Sequence, residues 1–204
     1  MGHKAKKHKQ KKSIRFQNWD YRNPSYYFLT FNSRGFKHIF GEVYRGVMYL
    51  TIPGCIAWHC WYEVPKHNNG KDGVVLDEFI VMPNHIHMIL KIPDRRTRKG
   101  DQWYLTSKYS DRPIDRNAEN IMSEIAPKAG SISTIVRSYK SAVTKLCRRK
   151  GYPDFGWNTS YWDVVVRDKR ALENIRRYIR DNPLNWPKDR FYKYFFCSCG
   201  ACST

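Results

Sequence analysis

Acidic side chains are scarce in this chain. Its 204 residues carry 18 Asp and Glu against 37 Lys and Arg, for a formal net charge of +19. Such an excess of cations favours a polyanionic partner, nucleic acid first among them. An acidic membrane surface is the competing partner. The chain lacks the long apolar span and the amphipathic anchor helix that a membrane reading needs, so no membrane association is expected. Residues 1–12 are Lys-rich with no apolar stretch after them, which excludes a secretory signal. They read as a basic arm that can track phosphates, or as a solubilising tail. A disulfide framework is also missing. With no export signal, the six cysteines are expected to be reduced cytosolic thiols. Cys197, Cys199 and Cys202 lack the paired spacing of a zinc ribbon and read as a frayed tail.

What is present arranges into one compact domain with appendages. Residues 1–22 are expected to form a basic, disordered arm, 23–190 the domain and 191–204 a tail. Residues 26–32 (YYFLTFN) are a β-prone first strand. Residues 47–50 make a short extended piece. Thr51 then caps a helix reaching about Glu63, with Pro53 in its first turn, burying Ile56 and part of the Trp58, Cys60 and Trp61 cluster. Residues 67–73 are a polar loop. Residues 74–82 are a strand, Pro83-Asn84 a tight connection, and 85–92 its antiparallel return. Residues 94–130 are charged and without periodicity, an insertion expected to be partly disordered. Ser131 caps a basic helix to about Arg149. Ile132, Ile135, Val136, Tyr139, Val143 and Leu146 form its apolar stripe, and Gly151-Tyr152-Pro153 closes it. Residues 161–167 are a further strand. The order strand, helix, strand, strand, helix, strand, helix predicts an α+β, ferredoxin-like plan: an antiparallel sheet with helices packed on a face.

Two segments carry chemistry. In Val81-Met82-Pro83-Asn84-His85-Ile86-His87-Met88-Ile89-Leu90, His85 and His87 stand two apart on a strand and so share a face. Paired imidazoles on a rigid strand are half of a divalent metal site. The bland alternative is two half-buried histidines on a sheet. The second segment is the amphipathic helix around Leu172, Ile175 and Ile179, capped by Asp168 and stopped at Pro183. Tyr178 and Asn182 are four apart on one face of it. Tyr178 is a candidate nucleophile, and Asn182 offers a carbonyl oxygen as a third metal ligand. Here the bland alternative is a packed ring and an ordinary helix stop. Arg137, Lys140, Arg167, Arg176, Arg177 and Arg180 are candidate nucleic-acid contacts. Tyr139 falls on an apolar stripe and reads as core. Tyr161 and Trp162 alternate on a strand, so one turns inward and the other outward. Either could stack a base, as could Trp157 or Trp186.

Together these segments resemble the HUH single-strand nucleases and, within them, the REP-associated tyrosine transposases. The resemblance rests on Met82-Pro83-Asn84-His85-Ile86-His87, on Tyr161-Trp162-Asp163 and on Tyr178-Ile179-Arg180-Asp181-Asn182-Pro183, with Phe28-Leu29-Thr30 similar to the family's first strand. It spans roughly residues 25–187, apart from the insertion, which departs from shorter members of the family.

The resemblance implies an HUH fold and a single-tyrosine transposase acting on single-stranded, hairpin-bearing DNA. Tyr178 would attack phosphorus to give a 5′-phosphotyrosine. His85, His87 and Asn182 would hold Mg²⁺ or Mn²⁺, with no small-molecule cofactor. It also implies a bacterial, cytoplasmic protein working as a monomer or homodimer. For the proton acceptor, metal-bound water and Asp181 both stay open. Two other functions compete. One is a catalytically silent basic DNA- or RNA-binding protein. The other is an HUH replication or conjugation initiator nuclease, whose tyrosines usually come in another order or in pairs, often with a helicase domain.

Overall fold

The computed structural model describes residues 19–67, 73–94 and 131–192. The insertion from residue 95 onward and the Cys197, Cys199 and Cys202 cluster lie outside the described residues. The elements are β1 (Ser25–Ser33), β2 (Gly41–Tyr44), β3 (Val47–Leu50), α1 (Ile52–Glu63), β4 (Val75–Val81), β5 (His85–Ile92), α2 (Ile132–Arg149), β6 (Trp157–Val166) and α3 (Lys169–Asp181). Short 3₁₀ turns follow β1 at Arg34–Phe36 and α3 at Trp186–Lys188. None of the described helices is long and apolar enough to cross a membrane.

The main sheet is fully antiparallel, in the order β4-β5-β1-β6. That order is what two interleaved β-α-β units produce, which is the predicted ferredoxin-like plan. Alternation along the central strands divides the core in two. Tyr27, Leu29 and Phe31 of β1 join Ile86, Met88 and Leu90 of β5 on the face covered by α1 and α2. Ile89 and Val166, with Phe28 and Tyr26, face the other way and receive Leu172 and Ile179 of α3. The helices therefore cover both faces, not one, and α3 has the second to itself among the described residues.

Local chemistry explains the boundaries. The Thr51 hydroxyl accepts from the Gly54 amide at 3.4 Å, and the Ser131 hydroxyl from that of Thr134 at 3.4 Å. A side chain at position 54 would meet the Phe40 carbonyl at 2.1 Å, so glycine lets α1 start hard against the preceding chain. Tyr139 is core as expected, and its hydroxyl donates to the Ala57 carbonyl at 2.9 Å, tying α2 to α1. Trp61 stacks on Phe79 with 4.8 Å between ring centres, whereas Trp58 is exposed.

Two features were not anticipated. The extended piece at Val47–Leu50 has a partner, β2, joined through Arg45 and Gly46. Both sit at positive φ, 50° and 75°, as a tight two-residue hairpin turn requires. Second, β6 starts at Trp157, four residues before the expected Tyr161, and pairs on to Ser33 of β1 across a register shift between Phe31 and Ser33. The polar Asn158-Thr159-Ser160 stretch conceals it in the sequence.

The register of β4 on β5 also slips between Leu76 and Phe79. Three steps on β4 oppose two on β5, which is a β-bulge. It turns the consecutive carboxylates of Asp77 and Glu78 toward α3. There Asp77 pairs with Arg176 and Glu78 with Arg180. Docking of α3 thus combines a small apolar patch with two ion pairs. Leu172 is buried at 1% exposure. Leu172→Ala is expected to cost about 2–4 kcal/mol, read as a drop in the denaturant midpoint.

Candidate functional site

The site forms where β5 begins, under the end of α3. Pro83 and Asn84 turn the chain tightly, with the Met82 amide donating to the His85 carbonyl at 2.8 Å. His85 and His87 then point to the α3 face, as their spacing predicts, and both are buried at 1% exposure or less. Their Nε2 atoms face each other at 3.1 Å.

Each ring is held by its other nitrogen. His85 Nδ1 lies 2.9 Å from Asn84 Oδ1, while the Asn84 amide nitrogen donates to the Phe191 carbonyl at 3.0 Å. That second bond fixes which end of the Asn84 amide is oxygen, so His85 Nδ1 must be the donor. His85 Nε2 then carries a lone pair into the site. His87 Nδ1 lies 2.8 Å from Thr30 Oγ1, and Thr30 is its neighbour across the sheet. Ring-orienting partners of this kind are what metal-binding imidazoles use.

Helix α3 delivers the rest. Tyr178 Oη is 3.2 Å from His87 Nε2 and 3.4 Å from Asp189 Oδ2. The Tyr178 ring leans on His87 and meets Phe28 edge-on. It stays 43% exposed, so one side is open to a substrate. Asn182 is buried. Its amide nitrogen reaches Asp189 Oδ2 at 3.4 Å, and its Oδ1 has no hydrogen-bond partner among the described residues. All four residues expected to form the centre, His85, His87, Tyr178 and Asn182, therefore meet within one chain.

Asp189 is the member that the sequence reading missed. Its carboxylate and the two imidazoles lie within 4.8 Å of one another, a grouping able to hold a metal ion. The chain after α3 brings it there. Trp186 and Phe191 are buried against Met82, and Phe191 packs on the His85 ring. The Phe191 amide donates to Asp189 Oδ1 at 2.7 Å and fixes the carboxylate. No spacing in the sequence marks Asp189, because it lies beyond the helix stop at Pro183.

The donor set suits a divalent cation: two imidazole nitrogens, a carboxylate and an orphaned amide oxygen. Electrostatics agrees. Burial pushes His85 well below the ordinary imidazole range, helped by the neighbouring His87 and by Arg190. Burial takes His87 to about 3, with Arg190 again contributing. Both rings are neutral at pH 7 and offer lone pairs. Burial raises the Tyr178 phenol, Asp189 raises it further, and Arg190 works against them.

The six basic candidates fall into separate groups. Arg137 and Lys140 lie on α2, across the sheet from Tyr178. Lys140 donates to the Asn158 carbonyl at 2.9 Å and is lowered by burial to about 8. With Lys145, Arg148, Arg149 and Trp157 it lines an open basic groove. Arg177 lines a second groove, shared with Tyr178, Asn182, Lys188 and Asp189. Arg167 is exposed between β6 and α3. Arg176 and Arg180 are engaged with Asp77 and Glu78 and hold α3 in place. Of the two alternating aromatics, Tyr161 packs on Phe31, while Trp162 is 41% exposed on the site's face.

No protein-family model matches the chain. A protein of Haemophilus influenzae, described as an uncharacterized protein, is 28% identical over 185 residues, covering 89% of this chain and 93% of the relative. Among solved structures the chain is similar to a REP-associated tyrosine transposase bound to a REP hairpin. The TM-score there is 0.49 at 18% identity, over 82% of this chain and 71% of that one. It is also similar to a putative transposase from Deinococcus radiodurans, with a TM-score of 0.41 at 13% identity, over 82% of this chain and 95% of that one.

Burial of neutral imidazoles makes the metal-free fold sensitive to acid. In the unfolded chain each ring takes up a proton near pH 6.5, whereas folded His87 does so only near 3. The unfolded state therefore binds more protons in that window. The contribution is complete above about pH 6.5 and is lost as pH falls toward 3, by up to about 1.4 kcal/mol per pH unit for each ring. Denaturant midpoints in chelator at descending pH should fall accordingly. The decline should flatten in a His85→Ala, His87→Ala double variant.

Proposed function

We propose that the chain is a single-tyrosine DNA transposase that cleaves and rejoins single-stranded, hairpin-bearing DNA. The observation that carries this reading is the phenol of Tyr178, open to solvent on one side and 3.2 Å from an imidazole of a buried, neutral histidine pair. A buried core histidine pair needs no exposed phenol above it. The net charge of +19 supports a polyanionic substrate.

In the reaction, Tyr178 Oη forms a bond to phosphorus and the bond from phosphorus to the 3′ oxygen breaks. The phenolic proton leaves, and the departing oxygen takes up a proton to become a 3′-hydroxyl. The 5′ end stays on Tyr178 as a phosphotyrosine, and this polarity follows the family resemblance. A second 3′-hydroxyl can reverse the step and join new ends, because the phosphoester bond is conserved. A divalent cation, Mg²⁺ or Mn²⁺, would neutralise charge on the scissile phosphate when bound. His85, His87, Asn182 and Asp189 would hold it. Asn84 and Thr30 orient the rings for that task. Asp189 Oδ2 accepts from the phenol at 3.4 Å and orients it, and water on the open side of Tyr178 takes up its proton. Helix α3 sets the attacking oxygen beside the imidazoles before substrate arrives.

A silent basic DNA- or RNA-binding protein would account for the charge but not for the orphaned Asn182 oxygen. A replication or conjugation initiator would use the same histidines, but its tyrosines usually come in another order or in pairs, and Tyr178 is the one tyrosine of α3.

Two measurements test the reading. Incubated with end-labelled hairpin-bearing single strands and Mn²⁺, the wild-type chain should form a denaturant-resistant protein–DNA adduct, and Tyr178→Phe should form none. An adduct that persists in the variant moves the nucleophile elsewhere. In parallel, His85→Ala with His87→Ala should abolish the adduct yet keep most salt-sensitive DNA binding, measured by anisotropy. A failure of all cleavage by the wild type leaves only the binding protein.

A further inference from the structure

Arg190 directly follows Asp189 in the segment that closes over the start of β5. Its guanidinium carbon lies 4.9 Å from the ring centre of Trp162 and 4.5 Å from that of Phe191. Phe191 is buried, with its ring centre 4.7 Å from that of His85. Trp162 stands across from Thr30 on β1, and Thr30 across from His87 on β5. Trp162 and His87 are therefore members of one cross-strand row on the α3 face. The positive charge of Arg190 lies beside that row, since its guanidinium rests on Trp162 within it and on Phe191, which packs on His85.

Unlike Arg176 and Arg180, which carboxylates engage, Arg190 forms no ion pair among the described residues, and it is exposed. Most of the 37 Lys and Arg of this chain are expected to be flexible surface cations. A guanidinium laid against two rings is different. Contact with two rings restricts its motion, so it gives up less freedom on gripping a phosphate. Trp162 keeps 41% of its surface open beside it.

We propose that Arg190 is a catalytic residue that grips the reacting phosphate of a single DNA strand at the Tyr178 site, with the open part of Trp162 stacking the adjoining base. This rests on the strand-transfer reading above. The fork of Arg190 donates to non-bridging oxygens, which gain charge as the Tyr178 oxygen attacks. Its contribution is therefore larger in the transition state than in binding. A stacked base fixes the sugar on one side of the phosphate and limits its rotation.

The test uses the full chain and a labelled single-stranded oligonucleotide of mixed sequence. In chelator, where no cleavage occurs, the slope of log affinity against log salt counts phosphates gripped. Arg190→Gln keeps a planar group on Trp162 but removes the charge, and should lower the slope by about 0.7, one phosphate's worth on a single strand. Arg190→Lys should keep the slope. In Mn²⁺, the adduct rate should fall by a factor of about 100 in Arg190→Gln, with Arg190→Lys in between. Trp162→Ala should weaken binding with no change of slope. An unchanged slope in folded Arg190→Gln overturns the proposal whether or not the wild type cleaves. If Arg190→Gln does not fold, Arg190→Lys decides. An adduct rate equal to wild type then overturns the proposal, as does a lost slope. Absence of any adduct from wild type strikes the strand-transfer reading instead and leaves the slope as the measure of Arg190.

Discussion

The contact of α3 with the second face of the sheet is the constraint on which the site depends. The face is small: Ile89 and Val166, with Phe28 and Tyr26, meet Leu172 and Ile179. So narrow a patch fixes a helix axially only loosely, and the bulge in β4 supplies what it lacks. By turning Asp77 and Glu78 to the same side, it gives Arg176 and Arg180 fixed partners one helical turn apart. Rotation and slide of α3 are then set together, and with them the place of the Tyr178 oxygen. Arg176 and Arg180, expected from the sequence as nucleic-acid contacts, are thus engaged by carboxylates of β4.

The site combines opposed electrostatic demands. The chain carries a charge of +19, yet its centre holds two uncharged rings. Burial keeps protons off the imidazoles, and Arg190 adds to the effect. The same burial raises the phenol, while Arg190 opposes that rise. A cation bound between the imidazoles and the oxygens of Asn182 and Asp189 would relieve both tensions, since it replaces the missing protons and favours a phenolate nearby. The segment after α3 closes this arrangement. Phe191 holds the His85 ring, its amide holds Asp189, and its carbonyl holds Asn84.

Much of the fold was legible. Thr51, Ser131 and Asp168 marked helix starts because a side-chain oxygen at an N-cap is a local device. The strand β5 was legible because its burial and turn are local as well. The partner of Val47–Leu50 was not, because Arg45-Gly46 is a weaker turn signal than Asn-Gly. Nor was the burial face of α1, since Ile-Pro-Gly-Cys-Ile-Ala-Trp-His-Cys-Trp-Tyr-Glu is apolar nearly all round and carries no clear stripe.

The sequence by itself determined which side chains could act together within one element. His85 and His87 share a face because strand side chains alternate, and Tyr178 and Asn182 share one because a helix repeats every few residues. Those periodicities are properties of the backbone and need no partner. Tertiary structure alone decided that the two pairs meet, that Asp189 lies beside them, and that Asp77 and Glu78 engage Arg176 and Arg180. These are contacts between segments distant in the chain. A register slip in β4 and the return path after Pro183 set them, and neither leaves a mark on local spacing.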